Sequence, residues 1–178
     1  MVFEEKTVSS KEIYKGRIIT VKVDEVAMPD GKLAQREIVE HPGGVGVVAL
    51  TDANEIIMVK QYRKPLDKSI YEIPAGKMDS GEEHRICGIR ELEEETGYRA
   101  ENFEYLGFIY PSPGFTDEVT HIYLATGLYP GKVNLDPDEF LDTVKIPLDE
   151  VVERIMNNEI SDAKTIAGVL KTVKRLNV

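Results

Sequence analysis

The segment Arg90-Glu91-Leu92-Glu93-Glu94-Glu95 packs four carboxylates and one guanidinium into six residues. On a helix, positions i, i+3 and i+4 share a face, so Glu91, Glu94 and Glu95 project together. Like charges on one stripe repel, and the helix tolerates them only when something positive neutralises them. Solvent and mobile ions do this for an ordinary charged face; a bound hard cation does it for a site. Mg²⁺ and Mn²⁺ favour all-oxygen ligand sets completed by water or substrate phosphates. Arg90, four residues before Glu94, is placed to neutralise or orient the carboxylates.

The frame around these residues separates the two readings. From Gly76 the chain runs five residues to Glu82 and seven more to Arg90-Glu91-Leu92. One residue then precedes Glu94-Glu95, and one precedes Gly97. This resembles the Nudix box, G-x5-E-x7-R-E-U-x-E-E-x-G-U, where U is a bulky aliphatic. The departure is the last position, where Tyr98 stands. A purely structural acidic helix leaves the spacing from Gly76 to Gly97 unexplained.

Each fixed residue has a physical use. Gly76 permits a sharp exit from a strand, and Glu82 near a helix N-terminus meets the positive end of the dipole. Gly97 is suited to end the helix in the left-handed conformation. Gly88, mid-helix, costs about 1 kcal/mol against Ala, which points to close backbone approach or room for a metal cluster.

The resemblance implies a mixed sheet between helices, with the box as a loop–helix–loop. It assigns Glu91, Glu94 and Glu95 as metal ligands, joined by the carbonyl of Ala75, and counts Glu94 with the catalytic groups. Gly76, Glu82, Arg90 and Gly97 become the structural part of the motif, with an ion pair between Glu82 and Arg90. The implied cofactor is Mg²⁺, with Mn²⁺ as the alternative. The implied reaction is attack of water on one phosphorus of a diphosphate, with metal lowering the water's pKa and stabilising developing charge.

Downstream, Pro113 follows Gly97 by sixteen residues, within Ser112-Pro113-Gly114-Phe115-Thr116-Asp117-Glu118. That placement resembles the ADP-ribose pyrophosphatase subfamily, whose loop here implies Glu118 as the residue that activates or positions water. Gly114 and Phe115 are then substrate contacts. The plainer alternative is a surface turn, since Pro-Gly pairs mark turns. Upstream, the resemblance gives Arg63 of Gln61-Tyr62-Arg63 to the phosphates, which a guanidinium fork pairs two oxygens at a time. A strand-end salt bridge is the alternative. The same resemblance implies a homodimer in which Arg36 and Glu37 contact adenine, and Tyr14, Tyr62 or Phe115 could stack on the base. Glu72 and Asp79 are acidic neighbours without an assigned role. The expected products are AMP and ribose 5-phosphate. The rivals are another nucleoside diphosphate sugar such as a GDP-hexose, and a non-catalytic nucleotide sensor, whose mark would be loss of the box carboxylates.

The elements that must hold these residues are legible in the apolar pattern. Ile19, Val21 and Val23 alternate as a half-buried strand, Pro29-Asp30-Gly31 is turn chemistry, and Arg36–Glu40 is a second strand. Val45–Leu50 and Ile56–Val59 flank a turn at Asp52-Ala53-Asn54. A short strand at Ile70–Ile73 stops at Pro74, residues 76–81 are a loop, and a polar helix spans Glu82 to Thr96. Strands follow at Tyr105–Tyr110, Val119–Ala125 and Val144–Ile146. Two tail helices present the stripes Val151, Val152, Ile155, Met156 and Ile166, Val169, Leu170, Val173, the second capped by Ser161 or Asp162. The class is mixed α/β (α+β). The expected division is an antiparallel strand unit over residues 1–42, serving dimerisation, and a hydrolase domain over 43–178.

Composition bounds the partners. The chain has 178 residues, 42% apolar, and a formal net charge of −10. That balance argues against nucleic acid, whose phosphates demand Lys/Arg footprints. It also means that an anionic small-molecule substrate must be met by local basic residues or cations. The single cysteine, Cys87, fits a reducing compartment and reads as a small buried helix residue. No apolar run approaches a membrane span. A cytoplasmic enzyme without a membrane partner is the expectation.

Overall fold

Three strands open the chain: β1 (Lys6–Lys15), β2 (Thr20–Ala27) and β3 (Leu33–Glu40), antiparallel and in the order β1-β2-β3. The computed structural model describes residues 3–137 and 139–177. The chain divides into two units, Met1–Gly43 with Tyr110–Val119, and Gly44–Ile109 with Thr120–Val178.

In the first unit, Gly31 takes φ +84° and closes the β2–β3 turn, donating to the Met28 carbonyl at 2.8 Å. β1 is absent from the pattern reading because its ten residues, KTVSSKEIYK, show no apolar alternation. All of them are exposed. The segment Tyr110–Val119 is fastened to β3 by backbone bonds. Val39 N donates to Phe115 O (2.7 Å), and Asp117 N donates to Val39 O (3.3 Å). His41 N donates to the Asp117 carboxylate at 2.8 Å.

The second unit is built on a mixed sheet in the order β10-β5-β4-β9-β8, with β6 on β5 and β7 on β4. Its strands are β4 (Gly44–Leu50), β5 (Glu55–Arg63), β6 (Lys68–Glu72), β7 (Ala75–Lys77), β8 (Tyr98–Ile109), β9 (Thr120–Pro130) and β10 (Leu141–Pro147). β4 and β9 run parallel, and the other pairs are antiparallel. Every residue of β4 is buried, as expected of an unbroken apolar run covered on both faces. On one face Val48, Ile56, Met58, Ile73 and Leu124 pack with Val151 and Ile155 of α2 (Leu148–Met156) and Val169 of α3 (Ala163–Leu176). On the other, Val45, Val47, Ala49, Ile57, Tyr123 and Ala125 pack with Cys87 and Leu92 of α1 (His84–Thr96). A mixed sheet between helices is therefore the architecture of this unit.

Several boundaries differ from the pattern reading. β8 begins at Tyr98, directly after the Gly97 turn, because its polar first half pairs in full with β9 although it shows little alternation. β7 occupies part of the expected loop, held against β4 through Gly44↔Lys77 and Gly46↔Ala75. Met156 leaves the α2 stripe and is 70% exposed, lying at the helix end where the next turn already leads away. The α3 cap is Asp162, whose carboxylate accepts from Thr165 N at 3.0 Å. No helix among the described residues is long and apolar enough to cross a membrane.

Candidate active site

α1 carries the acidic stripe and is seated by its apolar side. Cys87 and Leu92 are fully buried, and burial pushes the Cys87 thiol up to about 12, so it is an inert packing residue at neutral pH. Gly88 faces the sheet, where a β-carbon would lie 2.9 Å from Val45 Cγ1 and 3.0 Å from Phe103 Cζ. Its use is close approach of helix to sheet, and the space-for-metal alternative is not what the geometry shows. The helix ends as expected: Gly97 has φ +71° and donates to Glu93 O at 2.8 Å.

Glu82 is not a helix cap. α1 starts at His84 with Glu83 in the N-cap position. Glu82 instead receives Arg90 bidentately, Nε to Oε1 and Nη2 to Oε2, both at 3.0 Å, and also accepts from Asp79 N at 3.0 Å. The Arg90 hydrogen bonds hold its carboxyl down to about 2. The remaining edge of Arg90 serves the stripe: Nη1 donates to Glu91 Oε1 at 2.8 Å and to Glu94 Oε2 at 3.0 Å. One guanidinium thus gathers Glu82, Glu91 and Glu94: the pair with Glu82 is the one that the resemblance implies, and the grip on Glu94 is the one that the four-residue spacing allows.

The short strand β7 meets the other carboxylates. Ala75 N donates to Glu95 Oε2 at 2.9 Å. A β-carbon on Gly76 would lie 1.9 Å from the Glu91 carboxyl carbon, so only glycine leaves Glu91 its place. Gly76 is therefore required for space, rather than for the strand exit expected of it. Glu95 is 2% exposed, and burial pushes its carboxyl up to about 9, with the charges of Glu139 and Glu91 adding to the effect. Glu91 is also raised, because burial outweighs the pull of Arg90. Glu139, from the acidic run after Leu135, is a neighbour that the box spacing gives no means of finding.

These groups form an oxygen-only donor set of the kind that divalent Mg²⁺ or Mn²⁺ takes. The burial of Glu91 and Glu95 is unfavourable unless a positive charge compensates it. The glycine at position 76 is the room that such a cluster needs, so the residues fit a divalent cation. Among the described residues, no three acidic, histidine or cysteine side chains are drawn together as a ready cage. Arg90 bridges Glu91 and Glu94 in this arrangement.

Arg63, at the end of β5, forks onto Glu72 with Nε–Oε1 at 2.5 Å and Nη2–Oε2 at 2.7 Å. The strand-end salt bridge is thus real, and Glu72 and Lys164 are participants that sequence reading left without a role. In the first unit, Arg36 pairs with Glu5 through Nε (2.7 Å) and Nη2 (2.6 Å), and Glu37 is exposed on β3. Gly114 has open space around it, Phe115 is 54% exposed, and the Glu118 carboxylate stands 3.9 Å from His41 Nδ1.

Comparison with known proteins places this arrangement. The NUDIX domain family matches residues 40–168, and the nucleoside diphosphate sugar hydrolase N-terminal domain family matches residues 5–39. The chain is 49% identical to a methanol dehydrogenase activator of Bacillus methanolicus, covering 94% of this chain and 92% of that one. It is 47% identical to an ADP-ribose pyrophosphatase of Bacillus subtilis, covering 93% and 91%. A crystal structure of an ADP compounds hydrolase matches with TM-score 0.88 over 99% of this chain and 96% of the other, at 20% identity, which is a likeness of fold. With its box residues assembled along β7, α1 with its Gly97 cap and the loop between them, and most of its length matched, the chain belongs to the Nudix hydrolase family.

Proposed function

We propose that this protein hydrolyses the diphosphate of ADP-ribose to AMP and ribose 5-phosphate. The observation that carries this is 47% identity along 93% of the chain to an ADP-ribose pyrophosphatase, with every box carboxylate present in this sequence. A second relative of that name, from Mycobacterium tuberculosis, is 39% identical over 93% of the chain. Retention of Glu91, Glu94 and Glu95 speaks against a sensor that has lost catalysis.

Nudix hydrolases need divalent metal, and here the Ala75 carbonyl, Glu91, Glu94 and Glu95 would hold it. When bound, it lowers the pKa of the attacking water and offsets charge on the phosphates. The protein's own groups do the rest. Arg63 meets the diphosphate with the edge of its guanidinium that faces away from Glu72. Glu118 positions the water for attack on phosphorus and takes its proton. Gly114 and Phe115 line the substrate, and Arg36 and Glu37 contact the adenine. Glu82, through Arg90, keeps Glu91 and Glu94 oriented.

The enzyme acts as a cytoplasmic homodimer in this reading. Val8, Ile13, Tyr14 and Leu33 on the three-stranded sheet are each 55–59% exposed, which is more apolar surface than so small a sheet keeps bare by preference. Light scattering on the purified chain tests the dimer. Incubation with ADP-ribose and Mg²⁺ or Mn²⁺, with products separated by chromatography, tests the reaction. Absence of AMP over a range of pH would overturn it. A panel of other nucleoside diphosphate sugars ranked by kcat/KM separates ADP-ribose from a GDP-hexose.

A further inference from the structure

Glu72 ends β6 and is 1% exposed, as deeply buried as Glu95 of the acidic helix. It lies between two cations. Arg63 takes both its oxygens, and Lys164 Nζ bonds Oε2 from the start of α3. Lys164 also reaches Asp162 Oδ2 at 3.2 Å. Asp162 accepts from Thr165 N at 3.0 Å and Thr165 Oγ1 at 2.6 Å, and Thr165 Oγ1 in turn accepts from Ile73 N at 2.9 Å. The residue is therefore fixed to α3 twice, through its carboxylate and through the amide that follows it.

Four charges in balance, Arg63 and Lys164 against Glu72 and Asp162, are an inefficient source of stability. Apolar residues of similar size serve a buried position equally well. The geometry shows what the charges arrange. Nε and Nη2 of Arg63 are both spent on Glu72. Nη1 has no hydrogen-bond partner among the described residues, and the side chain is 39% exposed. The network also lies within electrostatic reach of Glu95, whose charge acts on Arg63 and which is itself acted on by Lys164.

We infer that Glu72 is a positioning residue, which grips the inner edge of Arg63 so that the outer edge, Nη1, is presented to the substrate diphosphate. Lys164 and Asp162 hold Glu72 in the register that makes this so. The inference rests on the reading that Arg63 engages the diphosphate.

A double-mutant cycle on the full chain tests it, with kcat and KM measured on the best-turned-over member of a nucleoside diphosphate sugar panel. Glu72→Gln and Arg63→Ala should each lower kcat/KM by about 10²-fold, the scale of a displaced binding group. The double variant should be no worse than Arg63→Ala alone, because Glu72 acts only through Arg63. Arg63→Lys, which keeps the charge but has no fork, should behave like Arg63→Ala. Mn²⁺ affinity by calorimetry should match wild type in all of them. Effects that multiply in the double variant, full activity in Glu72→Gln, or an Arg63→Lys enzyme of wild-type kcat/KM would each overturn the inference while leaving the hydrolase reading intact. A wild type that turns over no member of the panel overturns both. Should Glu72→Gln not fold alone, the cycle is run in Lys164→Met, where the Gln restores the network's charge balance, and the same outcomes decide.

Discussion

The Glu91 carboxyl occupies the space of the side chain that residue 76 lacks: a β-carbon on Gly76 would lie 1.9 Å from its carboxyl carbon. Gly76→Ala must therefore move Glu91, which is a flexible side chain, while β7 can stay paired with β4. The expected result is a loss of about 10²-fold in kcat with little change in melting temperature. Steady-state kinetics beside a thermal melt checks this. A large drop in melting temperature with retained specific activity would contradict it.

Glu95→Gln should leave the fold intact, because the amide oxygen still accepts from Ala75 N, as Oε2 does at 2.9 Å. It takes away a carboxyl that burial pushes up to about 9 and that a bound cation would ionise. Turnover should fall by about 10²-fold or more, and Mn²⁺ binding should weaken in calorimetry. Unchanged metal affinity would remove Glu95 from the ligand set.

Glu118→Gln should slow the chemical step by about 10²-fold, the usual scale of a lost general base, with Mn²⁺ affinity preserved. Single-turnover kinetics isolates that step from product release. An unaltered rate would take the catalytic role away from this loop.

The Glu82–Arg90 pair makes stability depend on acid. Glu82 is held down to about 2 from its ordinary 4.5 by the Arg90 hydrogen bonds. A depressed carboxyl stabilises the fold above its unfolded value and loses that contribution as pH falls through the folded one. Wild type should therefore melt above Glu82→Gln at pH 7, and the difference should shrink from pH 4.5 down toward 2. A gap that stays constant across that window would mean that the pair contributes nothing through charge.

Gly88→Ala adds a methyl within 2.9 Å of Val45 Cγ1 and 3.0 Å of Phe103 Cζ, in a core that has no space for it. Overpacking of this kind costs about 1–3 kcal/mol, more than the helix propensity of Ala returns. Denaturant titration should show a lower midpoint at unchanged slope.

The helix α1 and its Gly97 terminus are legible in the sequence, apart from a start two residues later than expected, because these are local relations; the Glu82–Arg90 pair comes from the family resemblance. The core strands β4 and β5 were equally plain, since continuous apolar runs need no partner to be recognised. β1 was not, for its polar residues reveal a strand only through pairing with β2. The same limit hides Lys164, which reaches Glu72 across a separation of 92 residues along the chain. For Gly88 one of the two sequence readings, close approach of helix to sheet, matches the geometry, whereas for Gly76 the expected strand exit gives way to the space that Glu91 takes. At both, the reason is a side chain or strand brought close by tertiary structure.

The parallel pairing of β4 with β9 sets an order on how the molecule comes into being. Gly44–Ala49 can meet Thr120–Ala125 only after the whole of α1 and β8 has emerged between them. Closing so long a loop is slow, while a helix forms from its own neighbours. The crowded carboxylates of α1 do not share that wait: β7, which gives Ala75 N to Glu95 and leaves room at Gly76 for Glu91, precedes α1 in the chain. The strand that meets their oxygens is therefore made first, and the parallel pairing of β4 is left for β9 to complete.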